Sequence, residues 1–379
     1  MVFTLGSFVL VTVAVAFVSW LKTKGTDETS KDGYFLGGRS LSGLVIFGSL
    51  MMTNLSAEQL VGRNGQGYAA GMTAMGWETM CPIALTLMAL FFIPKYFKLG
   101  ISTIPEFLES RFDRATRVIV SFIFLVAYIV TMLPLVLYAG SVAMERIFGI
   151  TALMGGNRFM ATTVMCVALG IIGGIYAIFG GLKAVAVSDS LNGIIFIIGA
   201  VILIPVLAFI ALGDGSIAEG IRIFATSSPE HLNAIQPADA QPPYIPWPMI
   251  VLGCGINHIS YWCTNQSIMQ RVLGAKNLKE AQKGSLLTGL TCVFCPIFLV
   301  APGVIQFIYY RTVSAVSAGR HQHLPQSDVG LLRRSGSGHR CYGYSGSAHA
   351  EFCAEGCHHC PYRMLWSDDE PSAVPLPVL

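Results

Sequence analysis

Eight stretches of the chain stay apolar for long enough to carry a helix across about 30 Å of hydrocarbon. They fall roughly at residues 2–21, 41–61, 72–94, 118–145, 158–180, 186–212, 247–270 and 285–310, with polar links between them. The pattern predicts an all-α polytopic membrane protein of about eight transmembrane helices. The first stretch has no basic residue ahead of it and no small-residue cleavage site, so it reads as a retained span rather than a signal peptide. Gly180-Gly181 predicts a tight turn between spans five and six. The longest link, 213–246, is acidic and closes on PPYIPWP, as a loop returning to the membrane surface does.

Two spans break the apolar pattern. Span two continues from Leu41 into SLMMTNLSAEQLVGRNGQGYAAG, where Asn54, Ser56, Glu58 and Gln59 fall in its second half and a glycine-rich segment follows. A carboxylate and two amides at bilayer depth cost several kcal/mol unless they face a cavity or a partner. A helix that breaks near Leu55 would expose backbone carbonyls able to bind an ion or polar solute. A short helix that ends there, with Glu58 already among the headgroups, fits the spacing equally well. In span seven, GINHISYWCTNQSIMQRVLG crowds Asn257, His258, Ser260, Tyr261, Trp262, Thr264, Asn265 and Gln266 into a stretch that should be apolar. Spans two and seven are five apart, and an odd-numbered repeat inverts its topology. Interrupted helices at matching places in inverted repeats point to a transporter's binding site.

Composition agrees with the pattern. The chain is 53% hydrophobic and 12% charged, with mean hydropathy +0.62, far from a soluble globular chain. A net charge of +3 is too small to suggest nucleic acid, and no protein partner is evident; the lipid bilayer is the implied surrounding. Charge distribution is more telling. The odd-numbered links carry Lys22, Lys24, Lys31 and Arg39, then Lys95, Lys98, Arg111, Arg114 and Arg117, then Lys183, then Arg271, Lys276, Lys279 and Lys283. The even-numbered links hold only Arg63, Arg146, Arg158 and Arg222. This bias places the odd links in the cytoplasm and the N-terminus outside. Cys81, Cys166, Cys254, Cys263, Cys292 and Cys295 lie in apolar runs, as small hydrophobes rather than a disulfide framework. No nucleotide loop or nucleophile–base pair suggests an enzyme.

NLSAEQLVGRNGQGY, FKLGISTIPEFLESRF, IYAIFGGLKAVAVSD and YWCTNQSIMQRVLGAKNLKEAQKG resemble the solute:sodium symporter family, which includes the sodium/glucose cotransporters. The resemblance runs from about Gly33 to Tyr310. It implies a leucine-transporter-like fold of two inverted five-helix repeats behind an extra N-terminal span. The implied division is 1–40 for that span and its cytoplasmic link, 41–212 for the first repeat, 213–246 for an outer loop, and 247–310 for the first two helices of an incomplete second repeat. It also implies sodium as coupling ion, held partly by the backbone carbonyls of Met52 and Leu55, with Asp189 near its exit path. Asp189 as a cap at the start of span six is the alternative. The implied contacts to a sugar-like solute are Gln59, Glu78, Cys81 and His258 beside Asn257, with Trp77 and the aromatic pair Tyr261 and Trp262. Glu78 has an alternative too, at the interface beside Trp77. The family pattern is departed from at Cys81 (a serine there), Arg63 (a methionine gate), His258 (an asparagine) and Cys292 (a lysine), which weakens the case for galactose itself.

Past Tyr310 the character changes. The tail, 311–379, has no spanning run and holds six of the eight histidines and four cysteines. Cys341, Cys353, Cys357, His358, His359 and Cys360 are zinc-type ligands at spacings that match no finger or ribbon pattern. Read one nucleotide later, codons for Cys357-His358-His359-Cys360 give apolar or small residues, as lost membrane helices would. The tail therefore reads as out of frame, with a metal-binding tail as the alternative. The expectation is a sodium-coupled symporter of the bacterial inner membrane, C-terminally truncated and inactive in this form. A non-transporting solute sensor and a proton-coupled carrier are the rivals.

Overall fold

A computed structural model describes residues 2–24, 30–239 and 244–320. The tail's candidate zinc ligands, Cys341 to Cys360, lie outside the described residues. The chain divides into two units, Met1–Thr312 and Val313–Leu379, and the spans and the site described below belong to the first.

The described chain is helical throughout, with only two isolated bridges, Leu41 to Ala275 and Gln236 to Pro246, outside helices and turns. Six helices among the described residues are long and apolar enough to cross a membrane. They are Gly6–Thr23, Gln59–Leu99, Arg114–Phe148, Arg158–Ile175, Gly181–Leu212 and Leu278–Arg311. Spans two and seven add no continuous helix of their own, because each is broken in two. Span two consists of 2a, Gly43–Asn54, and 2b, Ala57–Ala70; span seven consists of 7a, Gly255–Thr264, and 7b, Gln266–Leu273.

Local chemistry explains the departures from straight helices. Spans three, four and six each widen to a π-helical turn just before a proline, at Met88–Phe92, Tyr128–Met132 and Ile197–Leu203. Pro94, Pro134 and Pro205 lack the N–H that an ordinary turn would use, and the wider turn accommodates the loss. Gly181 adopts φ 54°, ψ −174°, so the helical run Arg158–Phe196 is interrupted where the glycine pair predicts a turn. Asp189 lies eight residues beyond that interruption, too far in to cap a helix start.

The second half of span two corrects one expectation. The apolar pattern ends this span near residue 61 and leaves Arg63 and the glycines in a link, yet 2b runs unbroken to Ala70 and carries Arg63 within it. Tertiary packing overrides the weak helix propensity of Gly62, Gly65 and Gly67. A side chain at Gly67 would meet the Val300 backbone carbonyl, and one at Gly303 would meet that of Asn64; the Gly303 N–H also donates to Asn64 Oδ1 at 3.1 Å. Small residues let helices approach this closely in a membrane protein.

The core sits where 2a, span three, both halves of span seven and span eight meet. Ile46, Leu50, Leu85, Trp262, Met269 and Phe298 are fully buried there. Span four, by contrast, leaves Ile119, Phe122, Ile123, Ile129 and Leu133 exposed. An outward apolar face of that extent belongs against lipid.

Candidate functional site

The break in span two is built by its own backbone. The helical ladder of 2a ends with the Leu55 N–H donating to Met51 C=O at 2.8 Å, and Leu55 and Ser56 are extended. Ser56 caps 2b by accepting from the Gln59 N–H at 3.3 Å. That N–H would otherwise serve the Leu55 carbonyl, so the cap leaves the carbonyl unspent. Carbonyl oxygens at such a break suit a hard cation, which takes oxygen ligands. Met52 and Leu55 fit sodium on this ground, through their backbones.

Span seven breaks at Asn265, extended at φ −69°, ψ 126°. Asn265 Oδ1 accepts from the Ser267 N–H at 2.9 Å, capping 7b, and from Tyr128 Oη at 3.0 Å. On the inner side Tyr96 Oη donates to the Cys263 carbonyl at 3.1 Å. Two tyrosines of spans three and four thus serve polar groups that the break would leave unpaired. The apolar pattern singles out neither.

Beyond the span-two break lies a polar cluster centred on Arg63. Gln59, Arg63 and Gln66 share one face of 2b at helical spacing. Arg63 Nε donates to Gln59 Oε1 at 3.1 Å and its Nη1 to Gln66 Oε1 at 3.0 Å. Its Nη2 lies 3.9 Å from Glu78 Oε1, and its guanidinium sits 5.0 Å from the centre of the Trp77 ring. Glu78 is 4% exposed and therefore buried beside Arg63. His258 Nε2 pairs with the Trp77 carbonyl, tying span seven to span three. Cys81 and Trp262 are fully buried, and the Tyr261 ring meets Trp262 edge-on at 5.3 Å. Tyr261 lies within electrostatic reach of Cys81 and Glu78. Asn257 alone among the expected solute residues is exposed.

Three buried polar atoms of the described residues have no hydrogen bond: His258 Nδ1, Trp262 Nε1 and Tyr244 Oη. His258 and Trp262 come from 7a, and Tyr244 lies close enough to Arg63 to feel its charge. Buried polar groups without partners are rare and call for an explanation. Tyr244 sits in the aromatic-proline loop end, which the sequence marks only as a turn.

Asp189 belongs to a separate network. Its Oδ2 accepts from Ser49 Oγ at 2.8 Å and lies 3.5 Å from Arg271 Nη2. Arg271 Nε donates to Ser49 Oγ at 2.9 Å and Nη1 to the Ser267 carbonyl at 2.7 Å. The network ties 2a, span six and 7b together, one to two turns before the span-two break.

The sequence model of the sodium:solute symporter family matches residues 34–327. The chain belongs to that family. The chain is 44% identical over 324 residues to an uncharacterised symporter, YidK, of Escherichia coli K12, covering 85% of this chain and 54% of that protein. It is 32% identical over 289 residues to a sodium/glucose cotransporter of Vibrio parahaemolyticus, covering 75% and 51%. Against a sodium/myo-inositol cotransporter of Mus musculus it is 29% identical over 328 residues, covering 80% and 43%. The chain thus spans about half the length of these curated relatives. A solved structure of a sodium-coupled sialic acid symporter, substrate-bound and outward-open, superimposes with TM-score 0.70 at 23% identity, covering 86% of this chain and 64% of that one. That likeness establishes the leucine-transporter-like fold. Members of the family are integral membrane transporters rather than enzymes, and sodium is the family's coupling ion.

Proposed function

We propose that this symporter couples the inward movement of sodium to uptake of a small polar solute, a sugar or related polyol, across the bacterial inner membrane. The observation that carries the reading is the pair of helix breaks, at Leu55-Ser56 and at Asn265, whose adjoining halves 2b and 7a carry buried or half-buried hydrogen-bonding side chains. Sodium would be held by the Met52 and Leu55 carbonyls, with Asp189 near its inner path. Hard oxygen donors supply its coordination without any change of protonation. Gln59, Glu78 and His258 offer hydrogen bonds to hydroxyls, and Tyr261 with Trp262 offers an apolar face for a sugar ring. Positive charge on the odd-numbered links supports an outward N-terminus.

The relatives named for sodium/glucose and sodium/myo-inositol cotransport support a hydroxylated solute. In a protein with both repeats complete, rocking of one against the other would carry it through. Vesicles containing the protein with both repeats complete, given labelled hexoses and myo-inositol with sodium exchanged for choline at constant pH, test the reading. Accumulation that needs sodium is the expected result. Accumulation indifferent to sodium points to a proton-coupled carrier and counts against it; binding without accumulation favours a sensor.

A further inference from the structure

Arg63 holds what a ligand would otherwise take. Gln59 and Gln66 turn their carbonyl oxygens to it, Trp77 turns its ring face, and Glu78 its carboxylate. Acceptors, a π-face and a carboxylate around one point make a receptor for a cation. Here the chain fills that receptor with its own guanidinium. The Glu78 and Arg63 side chains are only 5% and 15% exposed, so neither charge is left to water.

We infer that Arg63 sets the charge class of the solute: by neutralising Glu78 inside the site it selects an uncharged polyhydroxyl compound. The inference rests on the solute reading above and narrows it. An acidic sugar placed here would lie beside the Glu78 carboxylate, and an amino sugar beside the Arg63 guanidinium. Either would have to part a buried ion pair, which leaves one charge uncompensated. A neutral solute leaves the pair whole and still finds partners. Arg63 Nη2, at 3.9 Å from Glu78, is beyond hydrogen-bonding distance and has donors to give. The unpartnered Trp262 Nε1 and Tyr244 Oη add more donors, and His258 Nδ1, with Nε2–H turned to the Trp77 carbonyl, adds an acceptor; all three suit hydroxyls, which both donate and accept. His258 is 9% and Trp262 0% exposed, so both atoms face the interior rather than bulk solvent.

The test uses one hexose in three charge forms. Galactose, galactosamine and galacturonate, with the matching glucose series, are titrated against the purified chain in lipid nanodiscs with sodium, at mildly acidic pH where the amine is an ammonium. The unmodified chain is expected to bind the neutral form best. In R63M, Glu78 loses its counter-charge, and the affinity ratio of amino sugar to neutral sugar is expected to rise at least about tenfold, the change that one modest charge contact supplies. In E78Q the surplus charge is positive, and the ratio of sugar acid to neutral sugar is expected to rise by a similar factor. R63K keeps the charge beside Glu78 but loses the fork onto Gln59 and Gln66, so it is expected to weaken all three charge forms alike and to move neither ratio by more than about threefold. Because the two charge-removing variants shift in opposite directions, loss of folding in one leaves the other to decide. Unchanged ratios in a variant that still binds, or an unmodified chain that prefers the acid, overturn the inference while leaving sodium-dependent solute binding intact. An unmodified chain that binds no form refutes the solute reading beneath it, and the inference with it.

Discussion

Replacing Arg271 with methionine removes the cation that ties 2a, span six and 7b together. The arginine makes two hydrogen bonds, to Ser49 Oγ at 2.9 Å and the Ser267 carbonyl at 2.7 Å, and lies 3.5 Å from Asp189. Hydrogen bonds from a charged donor contribute about 1.5 kcal/mol each at the low end. Removing one partner of a buried pair costs about 3–5 kcal/mol because the other charge is left stranded. The side chains of Arg271 and Asp189 retain 15% and 21% exposure, which admits some water and holds R271M near the low end, at about 3 kcal/mol. D189N keeps an acceptor for Ser49 Oγ but strands the Arg271 guanidinium, whose two other hydrogen bonds and 15% exposure soften the loss to about 2 kcal/mol. With both changed, no charge is stranded, so the double variant should lose less than the sum, by a coupling of about 2 kcal/mol. Unfolding of the purified chain by SDS titration gives all four free energies. A coupling under about 0.5 kcal/mol, the value of a solvent-exposed pair, would refute the idea that this network is a buried fastening.

Local geometry sets three other expectations. G303A puts a methyl group against the Asn64 carbonyl and should destabilise the chain by about 1–3 kcal/mol, read in the same titration, whereas G62A, facing open space within helix 2b, should stabilise it by up to about 1 kcal/mol. His231, in the outer loop, stacks on Phe307 with ring centres 3.9 Å apart, and burial pushes its pKa below the usual 6.5. The folded chain thus holds the neutral ring. Its stabilising effect is complete above pH 6.5 and is lost as pH falls below that value, so H231Q should flatten the fall in melting temperature on acidification; an equal fall in both proteins would contradict it. M52L keeps the backbone carbonyl, so stabilisation by sodium over choline in a thermal shift assay should survive it.

The parts of the site that are legible in the sequence are those where polarity interrupts an apolar run. Asn54, Ser56 and Gln59 betray the break in span two, and the cluster from Asn257 to Gln266 betrays the one in span seven, although the break itself falls at Asn265, past Tyr261. The extent of 2b is not legible. Three glycines argue for a loop until Val300 and Gly303 are seen packed close by, and with 2b comes Arg63, which the apolar pattern alone puts in a link. Gln59, Arg63 and Gln66 do recur at helical spacing, a signal that the glycines mask. Arg271 counts in the sequence only as one more cytoplasmic charge, because its partners Ser49 and Asp189 are 222 and 82 residues away along the chain. Such pairings arise from tertiary packing alone.

On the proposed function, two broken helices hold sodium and a hydroxylated solute side by side, an arrangement that must couple the two ligands. Such coupling is reciprocal, so each ligand raises the other's affinity by the same factor. Hexose or inositol binding to the chain in nanodiscs, titrated across a series of sodium concentrations at constant ionic strength, measures that factor directly. Solute affinity is expected to rise with sodium by about fivefold or more, and sodium affinity to rise equally with solute. Solute affinity that is the same in sodium and in choline would contradict a shared site.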